Sequence, residues 1–171
     1  LPRPGTTAET YVAYGFTQKL FEACSAQADY RIPQASQKGA QVPKTPAGED
    51  LGVGEGWWYE GSSFLENVLG AKLQKRGFRL TVADNHINLG LLPTFSTWSQ
   101  VTFLHMYLLT VRLRALPYPE SLHTYSRHLI DHFSHNAEHR MDVLHGLTSR
   151  TIRNKYLKDL FIQWRGILAA Y

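Results

Sequence analysis

Four of the chain's eight histidines fall in the stretch Arg127–Arg140, RHLIDHFSHNAEHR. His128, His132, His135 and His139 recur at i, i+4, i+7 and i+11, a spacing that one unbroken α-helix would place on a single face. Histidine is a common metal ligand and the side chain that trades protons near neutral pH. A metal site, however, needs ligands that converge. Positions i and i+11 lie about 16 Å apart along a helix rising about 1.5 Å per residue. A second arrangement is more promising on paper. Glu120 with His123, and Asp142 with His145, each put a carboxylate three residues before a histidine. Two Glu-x-x-His motifs are half of a di-metal carboxylate site, the other half being one Glu from each of two more helices. The most apolar helical stretch of the chain carries no carboxylate, and Asp142 is a shorter ligand than Glu. Surface histidines, solvated or hydrogen-bonded locally, are therefore the expectation. No Gly-x-Ser-x-Gly, His-Glu-x-x-His or Gly-x-Gly-x-x-Gly pattern occurs. The run GVGEG lacks the Lys-Ser/Thr that would grip a phosphate. No cofactor pattern is readable.

The elements that must carry these residues are helical. Thr6 and Glu9 form a capping box that opens a helix through Asp29, with Val12, Phe16, Leu20, Cys24 and Ala28 as its apolar stripe. Residues 30–56, rich in Pro, Gly, Gln and Lys, read as a flexible arm. A helix from about Ser96 to Leu116 is apolar nearly all round and is expected at the centre of the fold. Pro117 and Pro119 stop it. The next helix runs from Glu120 to about Ser134. Asn136 then reads as the N-cap of a further helix, Ala137–His145, ended by Gly146, so that the histidine row is broken at the turn. Thr148 caps a last helix with Ile152, Tyr156, Leu160, Trp164, Ile167 and Tyr171 inward and Arg150, Arg153, Lys155, Lys158 and Arg165 outward. The class is all-α: a helical domain made of residues 1–29 and 57–171, with the arm 30–56 between them.

The bulk numbers permit this and exclude little. Eighteen Lys and Arg against fourteen Asp and Glu give a net charge of +4. That mild excess tolerates RNA or an anionic lipid surface without requiring either. Cys24 is the single cysteine, so no intrachain disulfide and no cysteine-based zinc site can form. The stretch VTFLHMYLLTVRLRAL, interrupted by His105, Arg112 and Arg114, is too short to span a bilayer. The opening LPRPG without Met suggests a processed form or a fragment, with any targeting peptide outside it. From the residues alone, three classes stay open: a helical binding protein, a di-metal carboxylate oxidoreductase, and a basic RNA-binding module. The aromatics fall on apolar stripes rather than among the basic residues, which disfavours the last.

The segment FSTWSQVTFLHMYLLTVRLRALP resembles the ubiquinol–cytochrome c reductase chaperone family. The resemblance is carried by Phe95, Trp98, Gln100, Leu104, His105, Val111, Arg112 and Arg114. HLIDHFSHNAEHRM, with Glu138 and Arg140, is similar to a second family block, YLKDLFIQWRGILAAY to the terminal helix, and LFEACSAQAD to the first helix. The resemblance implies a non-enzymatic assembly factor of respiratory complex III, without cofactor. Its client would be newly made cytochrome b, and its partners a small assembly factor and the mitochondrial ribosome. Contact with the matrix side of the inner membrane would be peripheral, with no transmembrane helix. Trp98, His105, Arg112, Arg114, Glu138 and Arg140 are then the client- or partner-binding candidates. One of the two arginines 112 and 114 is expected to pair with Glu138 or Asp131. Arg150, Arg153, Lys155, Lys158 and Arg165 form a candidate ribosome or membrane face.

Residues 61–88 depart most from the family pattern, as an insertion between WWYE and LGLLPTF. Their codons would fill 84 nucleotides in frame, which suits an unspliced intron better than a surface insertion. Transcript sequencing is expected to join Glu60 directly to Leu89; a dominant message that retains the 84 nucleotides would refute this.

Overall fold

The computed structural model describes residues 5–36, 40–56, 58–59 and 91–170. The all-α class holds. Four α-helices are present among the described residues: α1 (Thr7–Ser25), α2 (Phe95–Leu113), α3 (Pro119–Val143) and α4 (Arg150–Ala170). The only sheet among them pairs β1 (Tyr30–Arg31) with β2 (Val53–Gly54). The chain divides into two compact units, Leu1–Ser25 with Ser99–Tyr171, and Ala26–Trp98. The insertion 61–88 lies outside the described residues.

The capping box opens α1 as expected. Glu9 N–H donates to Thr6 Oγ1 at 3.3 Å, and the Glu9 carboxylate turns back to accept from Gly5 N–H at 2.6 Å. The expected stripe is one residue out of phase. Glu9, Ala13, Thr17, Phe21 and Cys24 are buried, while Val12 and Phe16 are about half exposed. Both sets step by three or four residues, so periodicity alone cannot choose between them. Packing favours the smaller set, because Ala13 and Thr17 let the helix backbone approach α3 closely. Thr17 hides its hydroxyl by donating to Ala13 O at 2.7 Å. Glu9 is 3% exposed and also accepts from Ser121 Oγ of α3. Glu9–Ser121 and Phe21–Phe133 are both pairs 112 residues apart, so α1 and α3 run in the same direction.

α3 is one helix of 25 residues. The expected break at Ser134–Asn136 does not exist. The residues that suggested it satisfy their polar groups on the helix surface: Ser134 Oγ donates to Ile130 O at 2.8 Å, and Asn136 Oδ1 accepts from Arg140 Nε at 2.7 Å. Tyr125, Leu129, Phe133, Ala137 and Met141 form an uninterrupted buried stripe through the region, and that burial overrides the weak local preference for a cap. Pro119 takes the first helical position, where its missing N–H costs nothing. Gly146, at φ +62°, reverses the chain and lets Leu147 N–H reach Met141 O at 2.9 Å.

α2 runs back along α3, with Leu113 near Tyr125 at one end and Phe103 against Phe133 at the other. α4 returns in the opposite sense, so that Phe103 also meets Trp164, at 5.4 Å between ring centroids. α2 is less central than its composition suggests. Val101, Phe103, Met106 and Leu113 are buried, but Leu104, Leu108 and Val111 are 45, 57 and 42% exposed. In α4 only Leu160 and Trp164 are fully inward, whereas Ile152 and Tyr156, expected inward, are exposed. Thr148 lies outside this helix, whose first backbone bond runs from Arg153 N–H to Ser149 O.

The second unit holds residues 30–56, expected as a flexible arm. Tyr30 and Ile32 are buried there, and β1 and β2 pair in register Tyr30↔Gly54. Lys44 bridges Asp50 through both backbone and a 3.0 Å ion pair, around a turn at Gly48. The GVGEG glycines serve packing: a Cβ at Gly54 would strike the Tyr59 ring, and one at Gly56 the Gln27 carbonyl.

The unbroken α3 returns all four histidines of the row to one helix. His132 is buried, with Nε2 3.1 Å from Tyr14 O; His128 is half-buried; His135 and His139 are exposed. Burial lowers the His132 pKa below its ordinary value, with His128 and His135 adding to the fall and the Tyr14 carbonyl and Asp131 opposing it. A histidine that resists protonation when folded leaves the unfolded chain binding the extra proton. Stability is therefore lost as pH falls below about 6.5. Urea midpoints measured between pH 7.5 and 5.5 are expected to decline less steeply for His132→Gln than for the parent; identical slopes would sink this assignment.

Candidate functional site

Among the described residues, no three His, Cys, Asp or Glu side chains are grouped so as to hold a metal ion. The two carboxylate–histidine motifs are apart from each other in role. Glu120 and His123 are exposed at the start of α3, and Asp142 is engaged by an arginine. Burial pushes the Cys24 thiol up to about 11, which keeps it protonated and a poor nucleophile. Tyr125 is likewise raised, by burial and then by the negative charge of Glu9. These groups serve the packing of α1 on α3.

The sequence candidates separate into three kinds. Trp98 is fully buried at the start of α2, its ring 5.5 Å from that of Phe95, so it supports the helix and presents no surface. His105 is half-buried, with Nδ1 2.8 Å from Val101 O one turn back. Arg112 and Arg114 are both exposed, and neither pairs with Glu138 or Asp131 as expected. Arg140 instead bonds Asn136, and Glu138 bonds Arg153.

Arg153 is the arginine the sequence placed on the wrong side. Its side chain is only 14% exposed and points back into the α3–α4 corner. Its Nε meets Glu138 Oε1 at 3.4 Å, while Nη1 meets Asp142 Oδ1 at 3.1 Å, Leu147 O at 2.8 Å and Thr148 O at 2.9 Å. Nη1 shares its two N–H bonds among three acceptors while Nε–H turns to Glu138, so the planar guanidinium reaches both sides of the corner, which the single nitrogen of a lysine could not match. Arg153 thus locks the α3–α4 turn. Arg150, Lys155, Lys158 and Arg165 stay exposed on the outer side of α4.

What the sequence reading missed is an apolar row on the outside of α2. Leu104, Leu108 and Val111 stand at i, i+4 and i+7, so they share one face. At about 100° per residue, Arg112 and Arg114 fall on opposite sides of that row. The signal was present as a helix apolar all round. Such a helix is read as buried on every side, when it can equally bury one face and offer the other. The row needs no catalytic chemistry: it can hold an apolar partner between two cationic flanks.

Residues 88–171 match the model of a family described as Ubiquinol-cytochrome C chaperone. This region contains α2, α3 and α4 whole. Over 84 residues the chain is 38% identical to Protein CBP3, mitochondrial, of Saccharomyces cerevisiae. That alignment covers 49% of this chain and 25% of the yeast protein. No solved structure matches the chain.

The corner geometry separates Arg153 from the exposed cations of its helix. Arg153→Ala is expected to lower unfolding free energy by about 1–2 kcal/mol, since it removes the donors to the Leu147 and Thr148 carbonyls together with the charge partner of two half-exposed carboxylates. Lys158→Ala should change it by less than about 0.5 kcal/mol. Equal and negligible losses in urea titrations would return Arg153 to the solvated face.

Proposed function

Because residues 88–171 belong to the ubiquinol–cytochrome c chaperone family, we propose that the chain is a mitochondrial assembly chaperone for respiratory complex III. It binds newly synthesised cytochrome b and supports its translation and maturation. It works with a small partner assembly factor at the mitochondrial ribosome, and sits peripherally on the matrix side of the inner membrane. The family match over α2–α4 carries this reading. The outer row of α2, inside the matched region, gives it a physical means. A membrane protein caught before insertion exposes helices that water does not tolerate. A rigid helix offering Leu104, Leu108 and Val111 can cover part of one, as in helix-in-groove recognition. Arg112 and Arg114 at its edges would set orientation more than affinity. Glu138 acts through the α3–α4 corner and Arg140 through its bond to Asn136 on α3, rather than by touching the client, and Trp98 through the start of α2. The mode is binding and release without chemical turnover.

Pull-down of the tagged full-length protein from mitochondria is expected to recover cytochrome b. Leu104→Asp combined with Leu108→Asp should reduce that recovery at least tenfold while leaving thermal unfolding intact, since both side chains already face water. Recovery of neither cytochrome b nor mitochondrial ribosomal proteins would overturn the proposal.

A further inference from the structure

We infer that the outer face of α4 is a lipid-contact strip, which seats the protein on an anionic bilayer surface through Lys155, Lys158 and Arg165 arranged around Ile162. This deepens the peripheral-membrane part of the function proposed above and rests on it only for the identity of the membrane. The four positions follow as i, i+3, i+7 and i+10, so they share one strip about 15 Å long. Ile162 is 68% exposed, the most exposed aliphatic side chain among the described residues. Lys158 lies one turn before it, Arg165 one turn after, and Lys155 two turns before. Among the described residues none of these three cations has an ion-pair partner. Asp159 borders the strip and leaves it a net charge of +2. Apolar surface continues on both flanks, through Ile152 on one and Phe161 on the other.

A purely solvated basic face gives no reason for an isoleucine at its centre. A nucleic-acid backbone would neutralise the cations but offers nothing to bury Ile162 or Phe161. A bilayer interface answers both, with phosphates for the cations and the acyl boundary for the apolar groups. No helix among the described residues is long and apolar enough to cross a membrane, so the contact lies along the surface. Arg153, expected on this face, is turned into the α3–α4 corner and takes no part.

The test is co-sedimentation of the full-length protein with phosphatidylcholine vesicles, with and without phosphatidylglycerol. Binding is expected on the anionic vesicles alone and should fall steeply with salt. Each cation near such a surface strengthens binding about fivefold, so the Lys155→Gln, Lys158→Gln, Arg165→Gln triple variant should bind about a hundredfold more weakly. Ile162→Ser should weaken binding while keeping the salt dependence. All three cations are exposed, and an unchanged circular dichroism melt verifies the fold. Vesicle binding by the triple variant equal to the parent's would overturn the inference. So would a triple variant that loses affinity for mitochondrial ribosomal RNA but keeps the vesicles, since that assigns the strip to RNA. Cytochrome b recovery is scored in the same variants, so failure of the client reading and failure of the lipid strip register separately.

Discussion

A column of four aromatic rings holds the helical unit together. Phe21 of α1 meets Phe133 of α3 edge-on at 6.5 Å, Phe133 meets Phe103 of α2 at 4.4 Å, and Phe103 meets Trp164 of α4 at 5.4 Å. Each helix contributes one ring, and each ring is at most 7% exposed. Contacts of this kind add about 0.5–1.5 kcal/mol per pair beyond the area they bury. Their larger effect is to fix relative rotation. Once Phe103 points at Phe133 and Trp164, Leu104, Leu108 and Val111 fall about 80–140° round α2, on its outer side. Once Trp164 points inward, the opposite side of α4 must carry Lys158 and Ile162. The surfaces are thus consequences of the column.

Two charged side chains are paired at the ends of the helices, away from the column. Glu9, buried between α1 and α3, receives Gly5 N–H and Ser121 Oγ. Arg153 donates to two carboxylates and two carbonyls at the α3–α4 corner. Both sit at helix ends, where backbone groups lack intrahelical partners. Each ties a terminus of one helix to its neighbour, one near the start of α3 and one near its end. The middle of α3 is left to apolar packing and to His132.

The sequence made the class legible, and the α1 capping box and the Gly146 stop as well, because these depend on local chemistry that travels with the residues. The similarity of residues 88–171 to the chaperone family was legible from Phe95, Trp98, His105 and Arg112 in order. The failures share a cause. Val12 and Phe16 look more like core than Ala13 and Thr17 until a neighbouring helix demands close approach. Ser134 and Asn136 look like a break until Phe133, Ala137 and Met141 are seen burying one stripe across them. Arg153 looks like one cation among five until the corner folds its carboxylates back towards it. Each error concerns which partner a residue meets, and a single sequence does not record partners.

α1 and α3 lie side by side in the same direction, and parallel neighbours need a return element between them in the chain. α2 supplies it, running back along α3 from Phe103 beside Phe133 to Leu113 beside Tyr125. The helix that carries the outer row of Leu104, Leu108 and Val111 is therefore also the one that closes the circuit between the parallel pair. α2, α3 and α4 alternate in direction and are joined by short corners at 114–118 and 144–149, so a residue gained or lost there would slide one helix along the next.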